Sequence, residues 1–242
     1  MIYKTFKTNT YNIHTIKTDK FKTCHMEIIF RNNIIKEDIT KRSFLTEMIV
    51  ENTKKYNTRC KMSIELENLY NAYFYGITNR VGSSVLTSFC FDFINPNLVN
   101  EKLDNFIKFP IAAILNPNVN DNEFDITTFN YVKERIRKDI DSIVEDPKNY
   151  SISKLLSKMC KDTESRININ GYIEDLYLIT NSNLYEYYKE MLKHDYIDIY
   201  IIGDIDMDKV STIIKNNFKI NILKSHKVYY NIKNKSLKKP QK

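Results

Sequence analysis

Polar and apolar residues alternate in part along "YNIHTIKT" (11–18) and "CHMEIIF" (24–30), and such runs of β-branched and aromatic residues predict strands within the first thirty residues. The period then lengthens. Ile39, Phe44, Leu45, Met48 and Ile49 fall on one face of a helix that Asp38 can cap and that ends near Asn52. Beyond "KKYNT", the segment "RCKMSIELENLYN" sets Met62, Leu66, Leu69 and Tyr70 on a second helical stripe. "AYFYGITNRV" and "SSVLTSFCFDF" are rich in strand formers and flank Gly82, which predicts an antiparallel pair.

Two longer helices are predicted over 99–115 and 123–145, joined by the loop "NPNVNDNE", with a break at Asp146-Pro147 and shorter helices after it. In "YIDIYIIGDIDMDKVSTIIKNNF", Ile197, Ile199 and Ile201 alternate as a strand and Gly203 turns the chain. Asp206 then caps a helix with Val210, Ile213, Ile214 and Phe218 on its buried stripe. Strands and helices come in mixed blocks rather than strict alternation. The fold class is α+β: a mixed, largely antiparallel sheet with helices packed on one face.

The 242 residues suffice for a real core, and 42% hydrophobic with 28% charged residues are globular values. The net charge of +7 raises the question of a nucleic-acid partner. The lysines alternate with Asp and Glu and form no stripe with aromatics, so no nucleic acid is expected; the exception is the run "KNKSLKKPQK" (233–242), read as a tail or the start of a linker. No apolar run reaches the length of a membrane span, and "MIYKTFKTNT" lacks a signal peptide's apolar core, so no membrane association is expected and the cytoplasm is the expected compartment. Cys24, Cys60, Cys90 and Cys160 stand far apart and read as buried thiols.

Four pieces carry a resemblance that extends from about residue 15 to about residue 222: the strand "MEIIFRN", the helix ending in "NTKKYNT", the segment "KERIRKDIDSIVEDPKNY" and the strand-turn-helix "YIIGDIDMDKV". In this order and spacing they resemble one half of an insulinase-like zinc peptidase, the family of pitrilysin and the mitochondrial processing peptidase. Active members bind zinc with H-x-x-E-H on a helix, where residues one turn apart bring two imidazoles to one ion and the glutamate serves as base for its water. Counting back from "NTKKY" places Ser43 and Glu47 at the histidine positions and Thr46 at the glutamate; the later-helix ligand position holds Asp139. A serine hydroxyl is a poor zinc ligand and a threonine cannot take a proton from water near neutral pH.

The resemblance therefore implies no catalytic residue, no metal and no other cofactor. His14, His25, His194 and His226 are not spaced to rebuild a site, "GSS" (82–84) reads as a hairpin turn, and "NGY" (170–172) is too short for a substrate-gripping loop. The implied function is that of a silent subunit that pairs with an active insulinase-like zinc peptidase and forms one wall of its peptide chamber, with Ser43, Thr46, Glu47 and Glu51 facing peptide. A stand-alone peptide-binding or scaffolding protein, with a homodimer in place of a partner, is the alternative; an active metalloenzyme built on Glu47 and Asp139 is the third. Residues 1–225 are expected to form one half-domain and 226–242 a basic tail or linker, in either a single-domain subunit or the first part of a two-domain chain.

Overall fold

The alternating runs at the start of the chain become strands in the computed structural model, which describes residues 1–159 and 163–220. Cys160, His226 and the basic segment 226–242 lie outside the described residues. β1 (Ile2–Lys7) pairs with β2 (Tyr11–Lys17), and β3 (Thr23–Asn33) buries Cys24, Met26, Ile28 and Phe30 while His25, Glu27, Ile29 and Arg31 point to the other side. Two helices follow, α1 (Lys36–Ile49) and α2 (Arg59–Asn68). β4 (Tyr73–Val81) and β5 (Ser84–Ile94) form the antiparallel pair around Gly82, whose φ of 60° suits the turn.

The helix α3 (Leu103–Leu115) leads through a small ribbon, β6 (Val119–Asn120) and β7 (Glu123–Phe124), to α4 (Ile126–Ser142). After α5 (Pro147–Met159) come α6 (Ile173–Leu178), α7 (Asn181–His194), β8 (Tyr196–Gly203) and α8 (Met207–Asn217). As the pattern predicted, Asp206 caps α8, accepting from the backbone of Asp208 and Lys209, and Val210, Ile213, Ile214 and Phe218 are buried.

The main sheet has the order β1-β2-β8-β3-β5-β4, with β2 and β8 parallel and every other neighbouring pair antiparallel. Its inner positions, among them Ile13, Ile199, Ile28 and Phe89, are fully buried. Phe91 stacks on Phe93 at 5.3 Å and Phe93 on Phe106 of α3 at 5.0 Å, so aromatic packing ties the sheet to its helices.

Several boundaries differ from the sequence reading for local reasons. Asp38 does not cap α1; the cap position is Ile35, and Asp38 sits with Glu37 in the first turn, where carboxylates favour a helix N-terminus. Tyr70 is not on the buried stripe of α2, because the helix has ended at Asn68 and Tyr70, at φ 60°, is exposed. The helix expected over 99–115 begins at Leu103, after a short 3-10 turn at Pro96–Leu98. The helix expected from 123 begins at Ile126, where Asp125 accepts from the Thr128 backbone. Of the thiols, Cys24 and Cys90 are buried but Cys60 is exposed in the first turn of α2.

Candidate functional site

The geometry of the site starts from a glycine. Gly76 of β4 lies directly under α1, and a Cβ on it would stand 2.2 Å from the Thr46 carbonyl oxygen, so only glycine lets the helix rest this close to the strand. A second restraint holds the same face of the helix one turn earlier. Arg42 is buried and donates to both carboxylate oxygens of Asp195 at 2.7 and 2.9 Å and to Thr87 of β5 at 3.0 Å. Asp195, between α7 and β8, also accepts from Asn32 at 2.7 Å. The pair is 3% and 1% exposed, which makes it a desolvated, bidentate clamp.

Held in this way, α1 packs against both β4 and α4. Glu47 and Glu51, one turn apart, face Arg135 of α4. Arg135 donates to Glu47 Oε2 at 2.7 Å and to Glu51 Oε1, and Arg59 approaches the other oxygen of Glu51 at 3.6 Å. Burial pushes the Glu47 carboxyl above its usual pKa; Arg135 pulls it back, while Asp139 and Glu51 add to the rise. Burial also works against the Arg135 charge, but its bond to Glu51 and the nearness of both carboxylates outweigh this, and the guanidinium holds its proton more firmly than usual.

The sequence-predicted positions are thus brought together, but they face different ways. Glu47 and Glu51 line a cleft of about 400 Å³ with Arg59, Arg135 and the start of β4, Tyr73 to Gly76. Glu51, expected to face peptide, is 7% exposed and spent on two arginines. Thr46, expected beside it, is 3% exposed, pressed on Gly76, and donates its hydroxyl to the Ser43 carbonyl at 2.7 Å. Ser43 lies one turn before Glu47 on the same face and is half-buried. Asp139, one turn beyond Arg135 on α4, is exposed and close enough to Glu47 to act on its charge.

This donor set does not fit zinc. The position that would supply a base holds a hydroxyl turned back into its own helix, no imidazole among the described residues is at hand, and Glu47 is already engaged by a guanidinium. Arg135 supplies a fixed positive charge between the two carboxylates. Sequence reasoning missed it, although it stands in "KERIRKD" one helical turn before Asp139 on the facing helix. The described histidines lie elsewhere: His14 contacts Asp198 at 3.2 Å, His25 contacts Asp92 at 2.7 Å, and His194 contacts Glu190 at 3.0 Å. Among the described residues no group of three or more His, Cys, Asp or Glu side chains is placed to hold a metal ion, and no helix is long and apolar enough to cross a membrane.

No family model matches the chain. It is 25% identical over 209 residues to the Probable inactive metalloprotease YmfF of Bacillus subtilis (strain 168), across 85% of this chain and 49% of that protein. The chain is thus similar, along most of its own length, to a protein described as a probable inactive metalloprotease. A conserved protein from Enterococcus faecalis V583 superposes on 97% of the chain with a TM-score of 0.88 and 25% identity, over 56% of its own length. The peptidase M16 inactive domain from Pseudomonas fluorescens superposes with a TM-score of 0.68 at 13% identity, over 90% of this chain and 50% of that one, and shows the shared fold. The chain spans about half the length of these relatives. Its α+β architecture is that of a half-domain of this fold.

Proposed function

We propose that this inactive homologue serves as a silent subunit of a peptide-handling complex: it pairs with an active insulinase-like zinc peptidase and forms one wall of the chamber in which peptide is held. The observation that carries this reading is the position of β4. It is the last strand of the sheet, among the described residues no strand pairs with its outer edge, and its first half lines the cleft with Glu47, Glu51 and Arg135. A free edge offers unpaired backbone N–H and C=O groups to an extended peptide, a mode of binding with little demand on sequence.

In this reading Ser43 and Glu47 face the chamber. Thr46 and Glu51 act behind them, one seating the helix on Gly76 and the other holding Arg135. Residues 1–225 form one half-domain, and the subunit works in the cytoplasm. The test is co-expression with an active zinc peptidase encoded beside this protein, followed by size exclusion and a peptide-cleavage assay. The expected result is co-elution as a stable complex with cleavage well above that of the peptidase alone. Separate elution together with unchanged cleavage would overturn the pairing and leave the stand-alone peptide-binding reading.

A further inference from the structure

Charge is spread unevenly along the chain. The last acidic residue is Asp208, and residues 209–242 carry ten lysines with no arginine, aspartate or glutamate. With a net charge of +7 for the whole chain, the first 208 residues are therefore net negative. An asymmetry of this size points to an anionic partner.

The described part of this stretch forms a basic pole of the fold. An open cleft of about 630 Å³ lies between the turn that joins β1 to β2 and the end of α8. Lys7, Lys215 and Lys219 line it with Tyr11 and Phe218, and no acidic side chain does. All three lysines are exposed. The lysine ion pairs among the described residues are made by Lys4, Lys17, Lys108, Lys189 and Lys193, so the charges of Lys7, Lys215 and Lys219 are not offset. Phe6 sits beside the cleft, with the Lys4 and Lys215 ammonium groups 4.7 and 5.3 Å from its ring centre; Lys4 is the one already held, by Asp208. Ile2, on the same face of β1 as Lys4 and Phe6, is 58% exposed. A second cleft shares Lys219 and Ile220 with the first, but its Lys189 and Lys193 are balanced by Glu186 and Glu190.

We infer that this pole docks the protein on an anionic membrane surface, with Lys7, Lys215 and Lys219 against lipid phosphates and Ile2 at the headgroup boundary. A lysine ammonium is a compact point charge that attracts an anionic surface without fixed geometry, whereas recognition of nucleic-acid phosphates favours the arginine fork. The sequence beyond Ile220 has the composition for the same surface. Its lysines are interspersed with Ile222, Leu223, Val228 and Ile232, aliphatic residues that gain from acyl chains and contribute little against a nucleic acid. Adsorption needs no spanning helix, so it agrees with the absence of one among the described residues. It replaces the sequence expectation of no membrane association, which rested on the lack of a span.

The test is co-sedimentation of the full chain with vesicles of phosphatidylcholine alone or mixed with phosphatidylglycerol. Partition onto the anionic vesicles is expected to be at least about tenfold stronger and to weaken as salt is added. The variant Lys7→Gln/Lys215→Gln/Lys219→Gln is expected to lose about tenfold in that partition. Lys20→Gln/Lys22→Gln/Lys138→Gln removes the same charge from exposed positions beyond the far end of β2 and on α4, and is expected to bind as the wild type does. Equal or absent partition on the two kinds of vesicle would overturn the inference, and so would equal losses in the two variants. Release from the anionic vesicles by duplex DNA at equal phosphate concentration would overturn it in favour of a nucleic-acid partner.

Discussion

Replacing Arg42 by methionine is expected to destabilise the fold by about 3–5 kcal/mol, a large share of a typical domain's stability. The guanidinium lies almost wholly out of water and bonds both oxygens of Asp195, so its removal leaves a carboxylate buried with Asn32 as its remaining side-chain partner. The double variant Arg42→Met with Asp195→Asn removes both charges, and recovery of most of the loss is expected, since the penalty comes from the orphaned charge more than from the absent attraction. Urea unfolding of the two variants checks this, with midpoints read at constant slope. Arg42 sits one residue before Ser43, so the single variant also loosens the helix that presents Glu47.

Arg135→Ala is expected to cost about 2–3 kcal/mol near neutral pH, less than the loss at Arg42 because Arg135 is 26% exposed and Glu47 39% exposed. Its signature is the pH dependence. Burial raises the folded-state pKa of Glu47, so the folded state binds protons more readily there than the unfolded chain, and stability falls as pH rises through the window between the two values. Arg135 narrows that window by drawing the folded pKa back down. Without it the window widens upward and more stability is lost across it. The difference between wild type and variant should therefore be small at about pH 4, where carboxylates begin to take up protons, and should grow toward about pH 7. Unfolding curves at both values measure it; a difference that stayed constant or shrank would remove Arg135 from its place as counter-charge to Glu47.

Where burial alternated cleanly, the chain announced its fold. Ile197, Ile199 and Ile201 with the Asp206 cap, and the pair of strands about Gly82, are local features whose periodicity and turn chemistry suffice. Helix starts were less legible. Asp38 has the chemistry of a cap, but the chain enters α1 three residues earlier, and Asp125 rather than Glu123 opens α4 because a small ribbon takes the intervening residues. The site was half legible. Motif spacing brought Ser43, Thr46, Glu47 and Asp139 to one region, yet spacing cannot say which way a side chain turns. Thr46 faces Gly76 because that residue lacks a Cβ, a tertiary fact with no trace in the helix's own period. Arg135 was missed for a related reason: its partners lie 84 and 88 residues away in the chain, and no local pattern couples them.

Zinc binding by the purified wild-type protein tests the central claim most directly. With chelator omitted throughout purification, metal analysis and calorimetric zinc titration should give far less than one zinc per chain and no saturable heat, because a guanidinium already provides the cation between Glu47 and Glu51. One tightly held zinc per chain, released together with any peptidase activity on dialysis against chelator, would contradict the account.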